Sequence, residues 1–580
     1  MIPVAGRSVR DRTLFLLAVL SFQLVIYRVS AQPANRIHQR AEQHKPESRS
    51  EPLEALRARI AAHLSQPRFG AASWGVKIAS LDTGRTIFEH NPEKYFNPAS
   101  NAKLYTTALA LDRLGADYRI KTSVYSSVKP DASGTLKGDL TVYGRGDPTM
   151  TARLNGGDYF KGIEPLINQL VNTGIRRIEG DIVADESYFA GPPFGAGWEW
   201  DDLQAYYGAE VSSLTINDNA IDLFVKPAER PGLPCRITTG PATSFVSLIN
   251  RTQTSQKGSE QRIVVYRPVG ENVIYVSGRL PIDSTGFYNS VAVHDPAGLF
   301  ASLFKDALLQ RGIIVTGRAR FVDWKYREVT PLDLSKVVEL ASVQSVPLSD
   351  IVRETLKPSQ NLYAQLLLLQ VGVTAGSIPG EMNSMASSQK PQAANGKSNA
   401  RNLNDRSGLS EDTSDEGKTT EELGIESMNE FLSRVGVKKG EVLLEEGSGL
   451  SRRDVITPEA TVGLLRYMSR SKWAEVYRNS LPIAGVDGTL QNRMKGTPAS
   501  GNVRAKTGSL RYVYTLSGYV TTASGEHVAF SIMLNNYYSV ERAAALHDPA
   551  SAAGRPAPPS PRDDIDAIPV MLASFTGRSQ

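Results

Sequence analysis

Ser100 and Lys103 stand three positions apart in Pro98-Ala99-Ser100-Asn101-Ala102-Lys103, at the start of an apolar helical pattern. One helical turn stacks the amine beside the hydroxyl. A serine hydroxyl is a poor nucleophile until a neighbouring base takes its proton. Lysine can do so only when neutral, so its ordinary value of about 10.4 must fall by roughly three units, at a cost of about 4 kcal/mol. Burial and a second cation both push that way. The second cation on offer is Lys506, in Lys506-Thr507-Gly508-Ser509. Ser359 and Asn361 complete the set. Two positions apart in an extended or turn segment, they share one side. Ser359 can relay a proton to a leaving amine, and Asn361 can hold a substrate amide or Lys103. The expected chemistry is attack of Ser100 on an acyl group with Lys103 as base. Lys506 would lower the basicity of Lys103 and attract a substrate carboxylate, and the N–H groups of Ser100 and Ser509 are candidates for an oxyanion hole.

These residues need rigid carriers. Leu104, Ala108 and Leu111 give the Ser100 helix one buried face, and Gly115 is its natural stop. Asn361 leads into Leu362, Leu366 and Leu369, a second apolar helix. The segment 502–510 is expected to be an edge strand, where an extended peptide can pair with free backbone groups and Gly508 leaves room for close approach. A helix is expected over 51–63, and strands over 74–78 and 86–88 around the turn Asp82-Thr83-Gly84. From 122 to 330 short alternating strands dominate, at 122–125, 139–142, 221–225, 263–266 and 273–276. This reads as an inserted β-rich region of two lobes, which makes 51–121 and 331–580 one discontinuous domain. Helix, glycine, strand recurs at 166–175, 303–313 and 428–437, read as ordinary helix–strand connections rather than a repeat. Residues 32–50 are a flexible leader. Residues 380–420 lack aromatic, Ile and Val side chains and cannot offset the entropy of ordering, so a disordered loop is expected. Residues 548–561 are a Pro/Ala-rich linker. Beyond it Ile565, Ile568, Leu572 and Phe575 suggest a short helix returning to a core, with Pro569 limiting its regularity.

A chain of 580 residues exceeds a single core. At 41% hydrophobic and 22% charged residues the composition is globular. A net charge of +5, with no basic stripe among aromatics, excludes a nucleic-acid partner. Arg7, Arg10 and Arg12 precede an apolar run from Leu14 to Tyr27, followed by Val29-Ser30-Ala31. Residues 1–31 therefore read as a signal peptide, the run being short for a spanning helix. Arg28 leaves an uncleaved anchor open, with at most peripheral membrane or cell-wall association. Cys235 is the sole cysteine, so no internal disulfide forms. Seven scattered histidines without H-E-x-x-H argue against a metal, and no P-loop or dinucleotide fingerprint implies a cofactor. S-x-x-K by itself says little, since Ser126/Lys129, Ser302/Lys305, Ser387/Lys390 and Ser469/Lys472 match it too. Ser427/Asn429 and Ser500/Asn502 likewise match S-x-N. The weight lies in the ordered conjunction with the single K-T-G.

S-x-x-K, S-x-N and K-T-G in that order form the active-site set of penicillin-binding and serine β-lactamase chemistry. The chain resembles the class C low-molecular-mass penicillin-binding proteins, the D-alanyl-D-alanine carboxypeptidase/endopeptidase family. Further likenesses are Gly146-Asp147-Pro148-Thr149, Trp198 to Asp201, Tyr207-Gly208-Ala209, Asn217-Asp218-Asn219, Gly447-Ser448-Gly449-Leu450-Ser451-Arg452 and Gly488-Thr489-Leu490. The resemblance covers roughly 51–375 and 425–545. It implies a multidomain α/β (α+β) chain: a transpeptidase-like antiparallel sheet flanked by helices, with β-rich domains inserted between the first two motifs. It implies an exported, periplasmic serine DD-peptidase that acts on peptidoglycan stem peptides through an acyl-enzyme at Ser100 and is acylated by β-lactam antibiotics. It also suggests that Asp185 and Arg452 bind the free D-end of diaminopimelate. Two departures stand out: Glu446 where the family usually has Asp, and Gln365 where an acidic residue is common. The alternatives are a β-lactamase of the same chemistry and a catalytically idle wall-binding protein.

Overall fold

The computed structural model describes residues 50–375, 417–540, 542 and 558–580. The signal segment, the leader and most of the 380–420 and 548–561 stretches lie outside the described residues.

The strand His527–Asn535 alternates two apolar sets, one with Phe530, Ile532 and Leu534 and the other with Ala529 and Met533. Successive side chains point to opposite faces, so a strand of this kind must be covered on both sides. It lies at the centre of a five-stranded antiparallel sheet with the order Arg504–Leu510, Val513–Thr521, His527–Asn535, Ser73–Ser80, Thr86–His90. Phe530, Ile532 and Leu534 pack with Leu56 and Ile60 of helix Leu53–Leu64 and with Ile565, Ile568 and Leu572 of helix Pro561–Ser574. Ala529 and Met533 share the opposite core with helices Ala102–Leu114, Asn361–Ala375 and Pro458–Met468. The C-terminal helix is longer than the sequence suggested and carries Pro569 inside it. Ser560 and Asp563 cap its start reciprocally, and Arg493 holds Asp566 bidentately at 2.6 and 3.0 Å.

The insert departs from the sequence reading in two ways. Strand Val338–Gln344 pairs with Lys121–Ser126, so the inserted sheet draws on residues past the expected boundary at 330. Side chains from all four insert sheets meet in one core, including Leu140, Ile178, Ile221, Ile274 and Phe300. The helix–glycine–strand recurrence at 166–175 and 303–313 is a structural repeat. Strand pairs Thr135–Leu136/Leu140–Tyr143, Arg177–Ile178/Ile182–Asp185 and Ile314–Val315/Ala319–Val322 stack in parallel, the last two each preceded by a helix. Gly138, Gly180 and Gly317 mark the three crossing points. A Cβ on Gly180 would collide with the backbone of Gly138, and one on Gly317 with the backbone of Gly180. The third recurrence, 428–437, belongs to the other domain's helix Thr420–Arg434.

Candidate active site

Ser100 lies in the 3-10 turn Ala99–Asn101 that feeds helix Ala102–Leu114. Ala99 has φ +45°, a left-handed conformation that costs a non-glycine residue free energy. The turn is held from two directions. Asn97 accepts the Ala99 N–H at 2.9 Å and donates to the carbonyls of Ser451 and Asp454 at 3.2 and 3.1 Å. Thr515 donates its hydroxyl to Pro98 O at 2.8 Å.

Lys103 is fully buried one turn on. Its Nζ donates to Ser448 O at 2.5 Å and to Asn361 Oδ1 at 2.6 Å, and lies 3.0 Å from Ser100 Oγ. The first two partners are carbonyl oxygens, which can only accept. A neutral amine spends both its N–H bonds on them and turns its lone pair to Ser100, whose hydroxyl can donate. Burial lowers Lys103 to about 7, against the upward pull of the buried carboxyl pair Glu446 and Asp454. Burial, rather than the second cation invoked from sequence, is the main cause. The cation–cation repulsion is felt by Lys506, which burial first, then Lys103 and Arg493, hold well below the ordinary lysine range.

Lys506 donates to Ser359 Oγ and to Thr507 O, each at 2.7 Å. Ser359 has φ +68°, and the chain then enters helix Asn361–Ala375. Ser359 thus faces Lys506 while Asn361 faces Lys103, with Asn361 Nδ2 anchored on Tyr207 O of the insert at 2.8 Å. Two hydrogen-bonded sets, Ser100–Lys103–Asn361 and Ser359–Lys506, thus stand close enough for the two lysines to feel each other's charge. The decoy Ser427/Asn429 lies within helix Thr420–Arg434.

Arg504–Leu510 is an edge strand. Ala505 gives its N–H to Pro482 O at 3.0 Å, on the side away from Val513–Thr521. Backbone groups alternate sides along a strand, so Thr507 and Ser509 also turn their N–H and C=O to that open side. Thr507 Oγ1 meets Thr489 Oγ1 at 2.8 Å. The close approach that Gly508 permits is to the chain itself: a Cβ there would run into Thr515 Oγ1 and lie 2.7 Å from Pro98 O.

Asp185 and Arg452 are not brought together. Asp185 is fully buried at the end of Ile182–Asp185, ion-paired with Arg327 Nε at 2.7 Å and accepting the Ser187 N–H at 3.1 Å. A buried carboxylate needs such a counter-charge, and Arg327 supplies it from within the insert. Arg452 pairs with Glu199 at 3.3 Å and donates to Arg511 O at 3.2 Å, at the hairpin that ends the edge strand. His294 meets Glu210 at 2.9 Å and Asp295 at 3.4 Å. Glu210 also accepts the Asp295 N–H at 3.0 Å, so the group lies beside the start of helix Pro296–Gln310.

Two contributors were missed because they are backbone carbonyls, Ser448 O and Tyr207 O. Both noted departures lie behind Lys103. Gln365 accepts the Gly447 N–H and donates to Glu421, each at 2.8 Å, while Glu446 is buried beneath the turn that carries Ser448.

This sheet, with Ser-Lys on a helix facing Ser-x-Asn and an edge Lys-Thr-Gly, defines the class of penicillin-binding and β-lactamase-like enzymes. The D-Ala-D-Ala carboxypeptidase 3 (S13) family matches residues 56–414 and 412–553. The chain belongs to that family and is a serine-type D-Ala-D-Ala carboxypeptidase. It is 32% identical over 540 residues to the D-alanyl-D-alanine carboxypeptidase of Actinomadura sp. (strain R39), covering 90% of this chain and 86% of the relative. It is 26% identical to D-alanyl-D-alanine carboxypeptidase DacB of Haemophilus influenzae, covering 80% and 85%. The crystal structure of penicillin binding protein 4 (dacB) from Haemophilus influenzae superposes with a TM-score of 0.66 at 23% identity, covering 90% of this chain and 100% of that one. A second structure of that protein is complexed with a β-lactam and gives a TM-score of 0.60 at 22% identity, covering 90% and 98%.

Proposed function

We propose that the chain cleaves the terminal D-alanyl-D-alanine bond of peptidoglycan stem peptides outside the cytoplasm, through an acyl-enzyme at Ser100. The observation that carries this reading is Lys103 Nζ, tied by two carbonyl acceptors and 3.0 Å from Ser100 Oγ. Lys103 takes the Ser100 proton as Oγ attacks the penultimate D-alanyl carbonyl. The backbone N–H groups of Ser100 and Ser509 receive the developing oxyanion. The proton held by Lys103 passes through Ser359, itself hydrogen-bonded to Lys506, to the departing amine, so D-alanine leaves and Lys103 is neutral again. Water then attacks the acyl-serine, with the same amine as its base. The peptide lies extended along the open side of Thr507 and Ser509, and Lys506 attracts its terminal carboxylate. Arg452 is positioned at the hairpin to meet the free D-end of a diaminopimelyl side chain. A cross-linked peptide presents the same acyl-D-alanine bond, so DD-endopeptidase action uses the same steps. A β-lactam mimics that bond and acylates the same serine. The basic and then apolar segment at residues 1–31, beside relatives that are D-alanyl-D-alanine carboxypeptidases, supports action in the periplasm. No helix among the described residues is long and apolar enough to cross a membrane.

The test is intact mass of the chain from Gln32 onward after exposure to benzylpenicillin, alongside Ser100→Ala. One adduct in the wild type and none in the variant is expected. An unmodified wild type with intact drug would sink the reading, and continuous hydrolysis of the drug would reassign the chain to β-lactamase action.

A further inference from the structure

The Lys103 amine depends on Ser448 O, and that carbonyl belongs to a turn with an unusual support. Glu446 is fully buried. Its Oε2 accepts the Ser448 N–H at 2.6 Å. Its Oε1 accepts the Gly449 N–H, the Leu450 N–H at 2.9 Å and, more distantly, the Ser451 N–H at 3.5 Å. One carboxylate therefore gathers the N–H groups of the whole turn, and its carbonyls face the nucleophile helix. Ser448 O takes Lys103, and Gly447 O takes the Thr106 hydroxyl at 2.7 Å. Gly449, at φ +78°, sits so close to Ala99 that a Cβ would strike its carbonyl. The turn thus touches the nucleophile helix at the residue before Ser100, at Lys103 and at Thr106.

Asp454, also fully buried, lies against Glu446. Its Oδ1 accepts the Glu445 N–H at 2.8 Å, whereas its Oδ2 receives no backbone donor. Two buried carboxyl groups in contact cannot both ionise cheaply. Donors to a carboxylate favour its charged form, and Glu446 has three or four while Asp454 has one. The geometry places the negative charge on Glu446 and the proton on Asp454, whose O–H then donates to Glu446. Burial and then the neighbouring Glu446 both push Asp454 well above the usual carboxylate range.

We propose that Glu446 is the positioning residue for the general base. Its carboxylate shapes the Gly447–Ser451 turn that fixes the Lys103 amine, and Asp454 serves as its protonated partner. The inference rests on the reading of Lys103 as base. The other charged groups around the pair are Lys103 itself, Glu421 and Glu445. Burial, with Glu446 nearby, raises Glu421 to about 7. Glu445 is paired with Arg453 at 2.7 Å. Glu446 therefore has two opposed effects on Lys103: it orders the amine's acceptor, and its charge holds the amine's proton affinity up.

The experiment measures the rate of acylation by a chromogenic β-lactam against pH, with thermal unfolding alongside, for the chain from Gln32 onward and four variants. In the wild type acylation falls on the acid side as Lys103 takes up a proton. Glu446→Gln is expected to lower the plateau at least about tenfold; the double variant Glu446→Gln/Asp454→Asn, in which Asp454 cannot ionise in its place, also moves the acid limb to lower pH, because the anion beside Lys103 is gone. Glu446→Asp keeps the charge, so its limb stays at the wild-type position while its rate falls between the two. Asp454→Asn replaces the O–H donor by an N–H donor without changing charge, so rate and limb stay close to wild type. A Glu446→Gln/Asp454→Asn protein with an unmoved limb, whatever its melting temperature, would reduce Glu446 to a structural residue and overturn the proposal. An Asp454→Asn protein with a displaced limb would overturn it too, and decides the matter even if Glu446→Gln fails to fold. A wild type with no acid limb would overturn both this proposal and the base assignment.

Discussion

Lys103 is a lysine placed where a charge is costly, and that cost has a sign with respect to pH. The folded chain releases its proton near 7, whereas an unfolded chain keeps it to about 10.4. Between those values the unfolded state binds more protons, so stability rises with pH. The penalty is fully present below about 7 and disappears above the unfolded value. Lys506, shifted the same way, adds to the slope. Comparing wild type with Lys103→Met by denaturant midpoint, wild type should gain up to about 1.4 kcal/mol per pH unit relative to the variant from neutral pH upward. A constant difference between the two would show that Lys103 titrates normally. The side chains of this site were legible because Ser100, Lys103, Ser359, Asn361 and Lys506 stand at offsets that only certain backbones make useful. Ser448 and Tyr207 act through carbonyls, which every residue carries. Asp185 misled for a different reason: parallel pairing sets Ile182–Asp185 beside Ala319–Val322, helix Trp324–Val329 follows directly, and with it comes Arg327, a partner distant in sequence.

At the scale of elements, the edge strand and the nucleophile turn are in van der Waals contact through a missing side chain. Gly508→Ala would drive a methyl group into Thr515 Oγ1 and toward Pro98 O. The same Thr515 hydroxyl braces Pro98, so the intrusion loosens the turn that aims Ser100. The expected result is loss of penicillin adduct by intact mass, with destabilisation of about 1–3 kcal/mol typical of overpacking. Retention of a full adduct would mean that the turn and strand can separate without consequence. The helices and the two hairpin strands at 74–78 and 86–88 could be read from periodicity and from Asp82-Thr83-Gly84. The insert's repeat showed only as the helix–glycine–strand recurrence at 166–175 and 303–313, which reads as ordinary connections because its paired strands are two to four residues long and show too little alternation for a period to emerge. What unites them is glycine meeting glycine across strands, a relation between distant positions.

Across the whole molecule, the C-terminal helix closes the face of the sheet opposite the catalytic helices. Leu572 is fully buried there among residues from the beginning of the domain. Leu572→Ala should cost about 2–5 kcal/mol in thermal or denaturant unfolding, while residual folded protein still forms the penicillin adduct. A variant as stable as wild type would mean that this helix is not part of the cooperative unit. The returning helix was foreseen from its apolar spacing. Its length was not, since Pro569 argues locally for a break and the surrounding core overrides it.

Strand Ser73–Ser80 finds its neighbour in His527–Asn535, and Lys506 lies between them in sequence. A ribosome emits the nucleophile early and the second cation late. While the chain is being made, Ser100 therefore has neither a completed sheet to lean on nor an edge to present substrate. Every shortened product, whether from interrupted translation or proteolytic loss of the last strands, carries the serine without the means to use it. With Ser100 and Lys506 in the roles proposed, hydrolytic power arrives only with the final part of the polypeptide, and the carboxypeptidase stays inert throughout its own manufacture.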